Sequence, residues 1–284
     1  MAIAQRLAWH GFAFDLPAGW EVTAYRVDPR RGEFRLHQRL HERGQLTWVR
    51  MAAQPDPVAV ASEILTRQRA SAGHAPARPT VFTVGDFTVV HADPGLPFQA
   101  LAWVGRDSRL LHWTFPAWTA DQPDADWRRL LTSYSIAAQD QREWALFGVR
   151  VFLPRIFLPR EIEAGPGAVA IDFTRADHLT VTVRRWALAG PLLGERPLSE
   201  WVRRSLVHDR LRVENLAPTT RGHQPAVRAA FSMRGERTYD RVVWRRWQGE
   251  AWWWHSQADN RLCAVEQVGP PGVPRLEVAD VWPI

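Results

Sequence analysis

The first half of the chain alternates apolar and polar residues in short runs, which is the pattern of half-buried β-strands. Two stretches instead repeat their apolar residues at helical spacing. The first begins at Asp56 and Pro57, a capping carboxylate followed by a proline suited to the first helical turn. The second covers 121–131, with Trp127 and Leu131 on one face. The predicted strands are 12–20, 33–38, 45–51, 81–84, 87–91, 101–104 and 110–115.

The second half repeats this order of strands and helix with a less complete ending. Pro197 begins a predicted helix whose apolar residues form a stripe along one side. No closing helix is predicted, because 260–266 has the pattern of a strand. The predicted strands before that segment are 148–152, 169–173, 179–186, 226–233, 241–247 and 250–255.

The spacing of tryptophans also predicts an internal duplication. Trp103 and Trp113 are ten residues apart, as are Trp244 and Trp254, and the two pairs are offset by 141 residues. Nearer the start of the chain the best offset is 135, which a longer loop in the second copy would explain. We interpret these four tryptophans as the structural core of the repeat.

Together these elements predict an α+β fold with two similar lobes, each a mainly antiparallel sheet packed with one or two helices. The first repeat is expected at 1–140 and a second, less complete repeat at 141–268, followed by a Pro-rich tail at 269–284. Two related lobes packed as a pseudo-symmetric unit would reproduce the interface of a dimer within one chain.

Two short motifs resemble the ends of a PsbP/Mog1-like domain. The opening motif consists of Phe14, Leu16, Pro17, Gly19 and Trp20, and the closing motif of Trp127, Leu130, Leu131, Ser133 and Tyr134. This superfamily includes photosystem II extrinsic subunits, a nuclear-transport factor and type VI secretion effector chaperones. The resemblance covers the first copy and reaches the second only through the repeat. It implies a binding or assembly protein of adaptor or chaperone type without a shared catalytic centre.

The charge composition excludes several chemistries. All 36 basic residues are Arg, so the chain has no Lys to form a Schiff base or to serve a phosphate-binding P-loop. The formal charge is only +6, because 30 acidic residues oppose them. The sequence pI of about 10.7 is high because almost nothing titrates between neutral pH and the range of Arg. It is therefore weak evidence for nucleic-acid binding.

Cysteine content and hydropathy indicate the compartment. A single Cys, Cys263, excludes an internal disulfide and every multi-Cys zinc site, and is typical of a reducing compartment. The start of the sequence lacks the apolar core of a signal peptide, and no stretch approaches the roughly 18 apolar residues of a membrane span. We therefore expect a cytoplasmic protein that contacts no membrane and needs no cofactor.

No established catalytic motif is present, and the candidate groups favour structural interpretations. Ser205, His208 and Asp209 are close in sequence, but a helix would spread them around its circumference. His37 and His41, with Glu42 adjacent, have a chelating spacing only on a helix, whereas the local pattern predicts a hairpin. No metal site is predicted. Cys263 could pair with His255 if the chain folds back between them, although a buried structural thiol is favoured.

The 16 tryptophans are the strongest anomaly in the composition. Those of the repeat are expected to be cross-strand core residues. In the run Trp252-Trp253-Trp254, strand alternation sends the middle indole to the face opposite its neighbours. An aromatic surface with guanidinium neighbours is predicted on the second copy, formed by Arg245, Arg246, Trp247, Trp253 and His255.

These observations favour one function and leave two alternatives. The favoured hypothesis is a non-enzymatic binding protein whose Trp/Arg surface contacts a protein partner, since Trp and Arg are the usual interface anchors. The first alternative is an enzyme for a small acidic or aromatic substrate, with His255, Cys263 or a carboxylate acting in a cleft between the lobes. The second is a single-stranded nucleic-acid binder, which the small charge surplus argues against.

Overall fold

The computed structural model describes residues 5–28, 30–71, 79–91, 97–116, 124–136, 141–206, 211–221, 224–234 and 246–277. The chain divides into two compact units, Met1–Ile136 and Ala137–Ile284. Antiparallel sheets dominate the described residues and helices are few, which confirms the predicted α+β class. Among the described residues, no helix combines the length and hydrophobicity that crossing a bilayer requires.

The first unit begins with a tight hairpin and continues into a seven-stranded antiparallel sheet. The hairpin strands are β1 (Arg6–Trp9) and β2 (Phe12–Asp15), and the turn between them consists of His10 and Gly11. Their φ angles of 48° and 88° are both positive, as a two-residue hairpin turn of type I′ requires. The sheet strands are β3 (Trp20–Val27), β4 (Arg31–Gln38), β5 (His41–Arg50), β6 (Thr80–Val84), β7 (Phe87–His91), β8 (Phe98–Val104) and β9 (Arg109–Phe115). Their spatial order is β3-β4-β5-β9-β8-β7-β6.

Helix α1 (Pro57–Ser71) covers one face of this sheet, burying Ala61 and Leu65 against Leu101. The opposite face is aromatic, with Trp48 and Trp113 packed against rings of the first hairpin. Helix α2 (Asp124–Thr132) and the short strand β10 (Ser135–Ile136) close the unit, and β10 pairs with β2. The apolar stripes read from the sequence are therefore the surfaces that build this core.

The second unit begins in the same way. Strands β11 (Gln141–Leu146) and β12 (Val149–Pro154) form a hairpin that turns through Phe147 and Gly148 at φ angles of 52° and 70°. The sheet strands are β13 (Leu158–Gly165), β14 (Ala168–Thr174), β15 (Thr180–Ala187), β16 (Leu211–Arg221), β17 (Gln224–Arg234), β18 (Arg246–Ser256) and β19 (Arg261–Gly269). Their order is β13-β14-β15-β19-β18-β17-β16. Helices α3 (Ala189–Leu193) and α4 (Leu198–Ser205) connect β15 to β16.

The two sheets have the same strand order. If the strands of each sheet are numbered along the chain, both follow 1-2-3-7-6-5-4, with a helix between strands three and four. The turn between the sixth and seventh strands also matches. It ends at Ser108 in the first unit and at Asn260 in the second, each with a φ of 50°, and the following strand begins with Arg109 or Arg261. The segment in which no closing helix is predicted forms β19, and no helix follows β19 in the described residues up to 277.

The tryptophan pairing that suggested the repeat is wrong in detail. Trp113 lies on β9, the seventh strand of its sheet, whereas Trp254 lies on β18, the sixth strand of the other. Trp103 is only partly buried, and Trp244 lies outside the described residues. Matching the hairpin turns instead gives offsets of 137 residues between Gly11 and Gly148 and 152 residues between the later arginines Arg109 and Arg261. The tryptophan spacing therefore aligned the seventh strand of the first sheet with the sixth strand of the second, an error of one strand.

Candidate functional site

Strand alternation on β18 decides which indoles reach the surface. Trp253 is 2% exposed and belongs to the apolar cluster beneath α4, together with Val202 and Leu206. Trp252 and Trp254 lie on the opposite face, where Trp252 remains partly exposed and Trp254 is 4% exposed. Trp247 has the same parity as Trp253 and is 3% exposed. Trp247 and Trp253 are therefore core residues and do not form the exposed aromatic surface that the sequence predicted.

The other three predicted binding residues are also not brought together. Arg245 lies outside the described residues. Arg246 is exposed at the start of β18 and donates a hydrogen bond from Nη1 to Ser232 Oγ at 3.4 Å. His255 lies near the far end of the same strand, and its odd number places it on the other face. Binding by Arg246 or His255 remains a prediction, but not as parts of one site.

The structure instead assembles a different aromatic and guanidinium surface, here called the strand surface, from Arg221, Arg228, Glu250, Trp252 and Trp254. The Arg221 guanidinium lies 3.3 Å from the ring centroid of Trp254, and that of Arg228 lies 5.6 Å from the ring centroid of Trp252. Arg228 also forms an ion pair with Glu250, the neighbour of Ala230 across the strands. Both contacts are cation–π geometries: Arg228 and Trp252 lie on the neighbouring strands β17 and β18, whereas Arg221 reaches Trp254 from β16, beyond β17.

Cys263 and His255 do not form a thiol–imidazole pair. The chain does fold back between them, but Cys263 lies opposite Trp254 and His255 lies opposite Leu262. Adjacent residues of a strand point to opposite faces, so the thiol and the imidazole are separated by the sheet. Burial also raises the pKa of the Cys263 thiol to about 11, partly offset by Arg221, Arg185 and Arg261. At neutral pH the group is a thiol rather than a nucleophilic thiolate.

Sequence reasoning missed a buried polar network in the first unit. His112 Nε2 contacts Gln99 Oε1, which also accepts a hydrogen bond from Thr114 Oγ1 at 2.9 Å. Gln99 Nε2 donates to Gln68 on α1 at 3.3 Å, so its Oε1 is the acceptor and His112 carries its proton on Nε2. Thr47 contacts the other ring nitrogen at 3.3 Å. Desolvation lowers the pKa of His112 to about 4. At neutral pH this histidine is therefore an uncharged structural group.

This histidine should make the stability of the protein depend on pH. A lowered pKa in the folded state means that the unfolded chain binds more protons between about pH 6.5 and pH 4. Unfolding free energy should therefore fall as pH decreases through that window, by up to about 3 kcal/mol. Urea titrations at several pH values across the window should show this loss in the native protein. In His112→Gln the unfolding free energy should depend less strongly on pH. The exposed hairpin variant His41→Gln should retain the native slope, and an unchanged slope in His112→Gln would contradict the assignment.

The remaining sequence candidates are the pair His37 and His41 and the group Ser205, His208 and Asp209. His37 and His41 lie on β4 and β5 at a hairpin, as predicted, and His37 Nδ1 contacts Thr23 Oγ1 at 2.6 Å. Over the described ranges, no group of three or more metal-ligating side chains is found. Ser205 Oγ donates to the Trp201 carbonyl of its own helix at 3.0 Å. His208 and Asp209 lie outside the described residues.

Comparison with known proteins gives only distant structural similarity. No protein-family model matches the chain, and no curated protein matches it. It is similar to the immunity protein TplEi of T6SS from Pseudomonas aeruginosa complexed with "L" peptide, at 9% identity and a TM-score of 0.38, over 97% of this chain and 89% of that one. A chain of the Tle4–Tli4 complex gives 11% identity and a TM-score of 0.37, over 96% and 87%.

A protein of unknown function from Pseudomonas aeruginosa, PA94, described as a putative regulator, is 12% identical with a TM-score of 0.26, over 49% of this chain and 100% of that one. All three TM-scores are below 0.5. At that level the similarities support no inference about the function of this chain.

Proposed function

We propose that this chain is a non-enzymatic binding protein whose strand surface contacts a protein partner. The observation that carries the proposal is the position of Trp252, which is partly exposed while Arg228 lies over its ring. The Arg228 side chain is 57% exposed and its guanidinium is held in place by Glu250. Tryptophan and arginine contribute most to binding free energy in known interfaces, and a side chain already held in place loses less entropy on binding.

The titratable groups of the chain support binding rather than catalysis. General acids and bases work best with a pKa near the operating pH. Three strongly perturbed groups move away from neutrality: the pKa of His112 falls to about 4, that of Cys263 rises to about 11, and burial raises that of Tyr134. Burial lowers the pKa of Arg221 to about 9, so this side chain stays protonated at neutral pH. His112, Cys263 and Tyr134 are therefore uncharged at neutral pH, as expected for groups enclosed by the core.

The strand surface also fits a protein partner better than single-stranded nucleic acid. Base stacking needs a free aromatic face. Arg221 already lies against the Trp254 ring and Arg228 against the Trp252 ring, and Arg228 is neutralised by Glu250. The strand surface therefore combines apolar and charged groups, and arginine side chains already cover ring faces on which a base could stack.

The finer assignment is a tandem duplication of a PsbP/Mog1-like module serving as an adaptor or chaperone, in the cytoplasm. The common strand order and the matched φ angles of the turns at Gly11 and Gly148 support the duplication. A further correspondence is the hydrogen bond from the Trp20 amide to the Pro17 carbonyl at 3.0 Å, which Phe157 and Pro154 repeat at 3.0 Å. We place the boundary between the repeats at residues 136 and 137 rather than at 140.

The test is binding to a partner that is isolated from the native host in constant stoichiometry and then purified. Trp252→Ala should weaken the complex by about thirtyfold, the effect of removing one interface anchor. Arg228→Gln should weaken it by about tenfold, because the guanidinium and its charge-assisted contacts are lost.

The matched control is Arg203→Gln on the exposed side of α4, which removes the same charge from the opposite side of the sheet. It should leave affinity within about twofold of the native value. A partner bound equally well by the native protein and Trp252→Ala would place the interface elsewhere. Failure to isolate any stoichiometric partner would remove the proposal.

A further inference from the structure

Three arginines converge around Cys263 on the same face of the second sheet as Trp254. Arg185 pairs with Cys263 across β15 and β19, and Arg261 lies two residues before Cys263 on the same strand. Arg221 reaches this region from β16 by lying over the Trp254 ring at 3.3 Å. All three guanidinium groups act electrostatically on Cys263, where they favour the thiolate.

The turn between β11 and β12 leaves room for two of these side chains. Gly148 has a φ of 70°, and a Cβ built on it would overlap Arg185 Nη1 and lie 3.5 Å from Arg261 Nη1. The guanidinium groups of Arg185 and Arg261 therefore meet where the hairpin has no side chain. A glycine at this position is required both by the turn and by the close approach of the two arginines.

The charges of Arg185 and Arg261 are not balanced by ion pairs within the described residues. Arg185 and Arg261 form no ion pair with any carboxylate in the described part of the chain, and Arg185 Nε is buried without an acceptor. The exposed Asp259 acts on Arg185 only at longer range. Burial, and then repulsion from Arg261, lowers the pKa of Arg185, while burial lowers that of Arg221 to about 9. Like charges held together in a partly buried site destabilise the protein unless an anion is bound.

The fold itself does not require arginines at these positions. Trp48 and Leu111 pair across β5 and β9 in the first unit as Arg185 and Cys263 pair across β15 and β19. Both first-unit residues are buried and apolar. The same architecture is therefore stable with an aromatic core at this location, and the charged residues of the second unit need another explanation.

We propose that Arg185 and Arg261, with Arg221 beside them, form a binding site for one oxyanion group, a carboxylate or a phosphate. Arginine forks match both groups through paired N–H donors. The anion would lie above Cys263 near Gly148 and would neutralise the cluster. The group could belong to a free small anion or to the side chain of a bound protein. The site does not depend on the proposed function, because a free anion would bind whether or not the strand surface contacts a partner.

The test is calorimetric titration of the full chain at constant ionic strength with two probes, inorganic phosphate and the peptide acetyl-Gly-Glu-amide. Saturable binding of at least one probe is expected, and Arg185→Gln and Arg261→Gln should each raise its dissociation constant by at least about tenfold. Tighter binding of phosphate would identify a free phosphate as the ligand, and tighter binding of the peptide would identify a protein carboxylate.

A second measurement uses the only Cys of the chain as a reporter. A bound anion offsets the guanidinium charges that favour the thiolate, so saturating probe should slow alkylation of Cys263 by uncharged iodoacetamide by at least about threefold. The variant Arg261→Gln should abolish this protection. Circular dichroism would show whether Arg185→Gln folds. If it does not fold, Arg261→Gln still tests the proposal.

Arg203→Gln is again the matched control, since it removes one charge on the other side of the sheet. Its affinity should stay within about twofold of the native value. Absence of saturable binding by both probes would overturn the proposal. So would an equal loss of affinity in Arg203→Gln and in the two cluster variants, because the attraction would then be a general effect of net charge.

Discussion

Replacing Trp253 with alanine is expected to lower the unfolding free energy of the second unit by about 3–5 kcal/mol. The indole is 2% exposed and lies in the cluster that α4 covers. Its neighbours in that cluster include Ala251 and Ala264, which are too small to fill the space left behind. The cavity would therefore remain largely open. The loss of stability would then include both the lost transfer free energy of the indole and the free-energy cost of the cavity. Denaturant titration followed by far-UV circular dichroism measures the loss, and hydrogen exchange in β17–β19 assigns it to this unit.

Trp252→Ala is the matched control, since it removes the same side chain from the adjacent residue of the same strand. Because Trp252 is partly exposed on the opposite face, its loss should cost about 1 kcal/mol or less. The effects on partner affinity should be opposite to the effects on stability. Trp252→Ala should bind the partner more weakly, and Trp253→Ala should keep the native affinity under conditions in which it is folded. Equal destabilisation by the two variants would show that the faces of β18 have been assigned the wrong way round.

Strand periodicity predicted half of this arrangement. It placed Trp252 and Trp254 on one face and Trp253 on the other, and the register of β17 with β18 confirms that division. It could not decide which face is covered, because three consecutive tryptophans place at least one large apolar side chain on each face of the strand. The decision depends on α4, whose residues Val202 and Leu206 pack on the Trp253 side. That contact joins segments about fifty residues apart, which no local pattern encodes.

The predicted repeat shows a similar limit. The order of strands and helices was readable from apolar periodicity, and the seven-stranded order of each sheet follows the same path. The residue alignment was not readable from tryptophans, because aromatic residues occupy several strands of one core. A better signal was present in the turns: Gly11 and Gly148 each follow an apolar strand and adopt positive φ, and their separation of 137 residues is the structural offset. Glycine in such turns is fixed by backbone geometry, whereas a core tryptophan can be exchanged for other large residues.

The two polar features that distinguish the units were not predictable at all. The His112 network joins Thr47 to a histidine 65 residues later, and the arginine cluster joins Arg185 to Arg261. In the sequence these residues are indistinguishable from solvent-exposed ones. The second sheet carries Ala251 and Ala264 on its α4 face, opposite the arginine cluster, while the first sheet carries its polar network under α1 and an aromatic core on the other face. Each unit thus places its polar residues on a different side of a sheet with the same strand order.

Replacing Gly32 with alanine is expected to destabilise the first unit by about 2–3 kcal/mol although it adds only one methyl group. Gly32 lies directly across β4 and β5 from Trp48, and a Cβ at this position would overlap the six-membered ring of that indole. The ring cannot move aside, because it is 1% exposed and packs against Phe34 at 4.9 Å and Phe12 at 5.8 Å between centroids. Far-UV circular dichroism during urea denaturation measures the effect.

Gly165→Ala provides the matched control, because it is also a strand glycine and a Cβ there would meet nothing within 4 Å. This variant should be neutral or slightly stabilising, since alanine reduces the freedom of the unfolded chain. The cause can be separated from a general effect on β4 by a double-mutant cycle with Trp48→Leu. If overlap with the indole is the cause, Gly32→Ala should cost at least about 1 kcal/mol less in the Trp48→Leu background than in the native one. An equal cost in both backgrounds would contradict it and would place the origin of the loss in the backbone of β4.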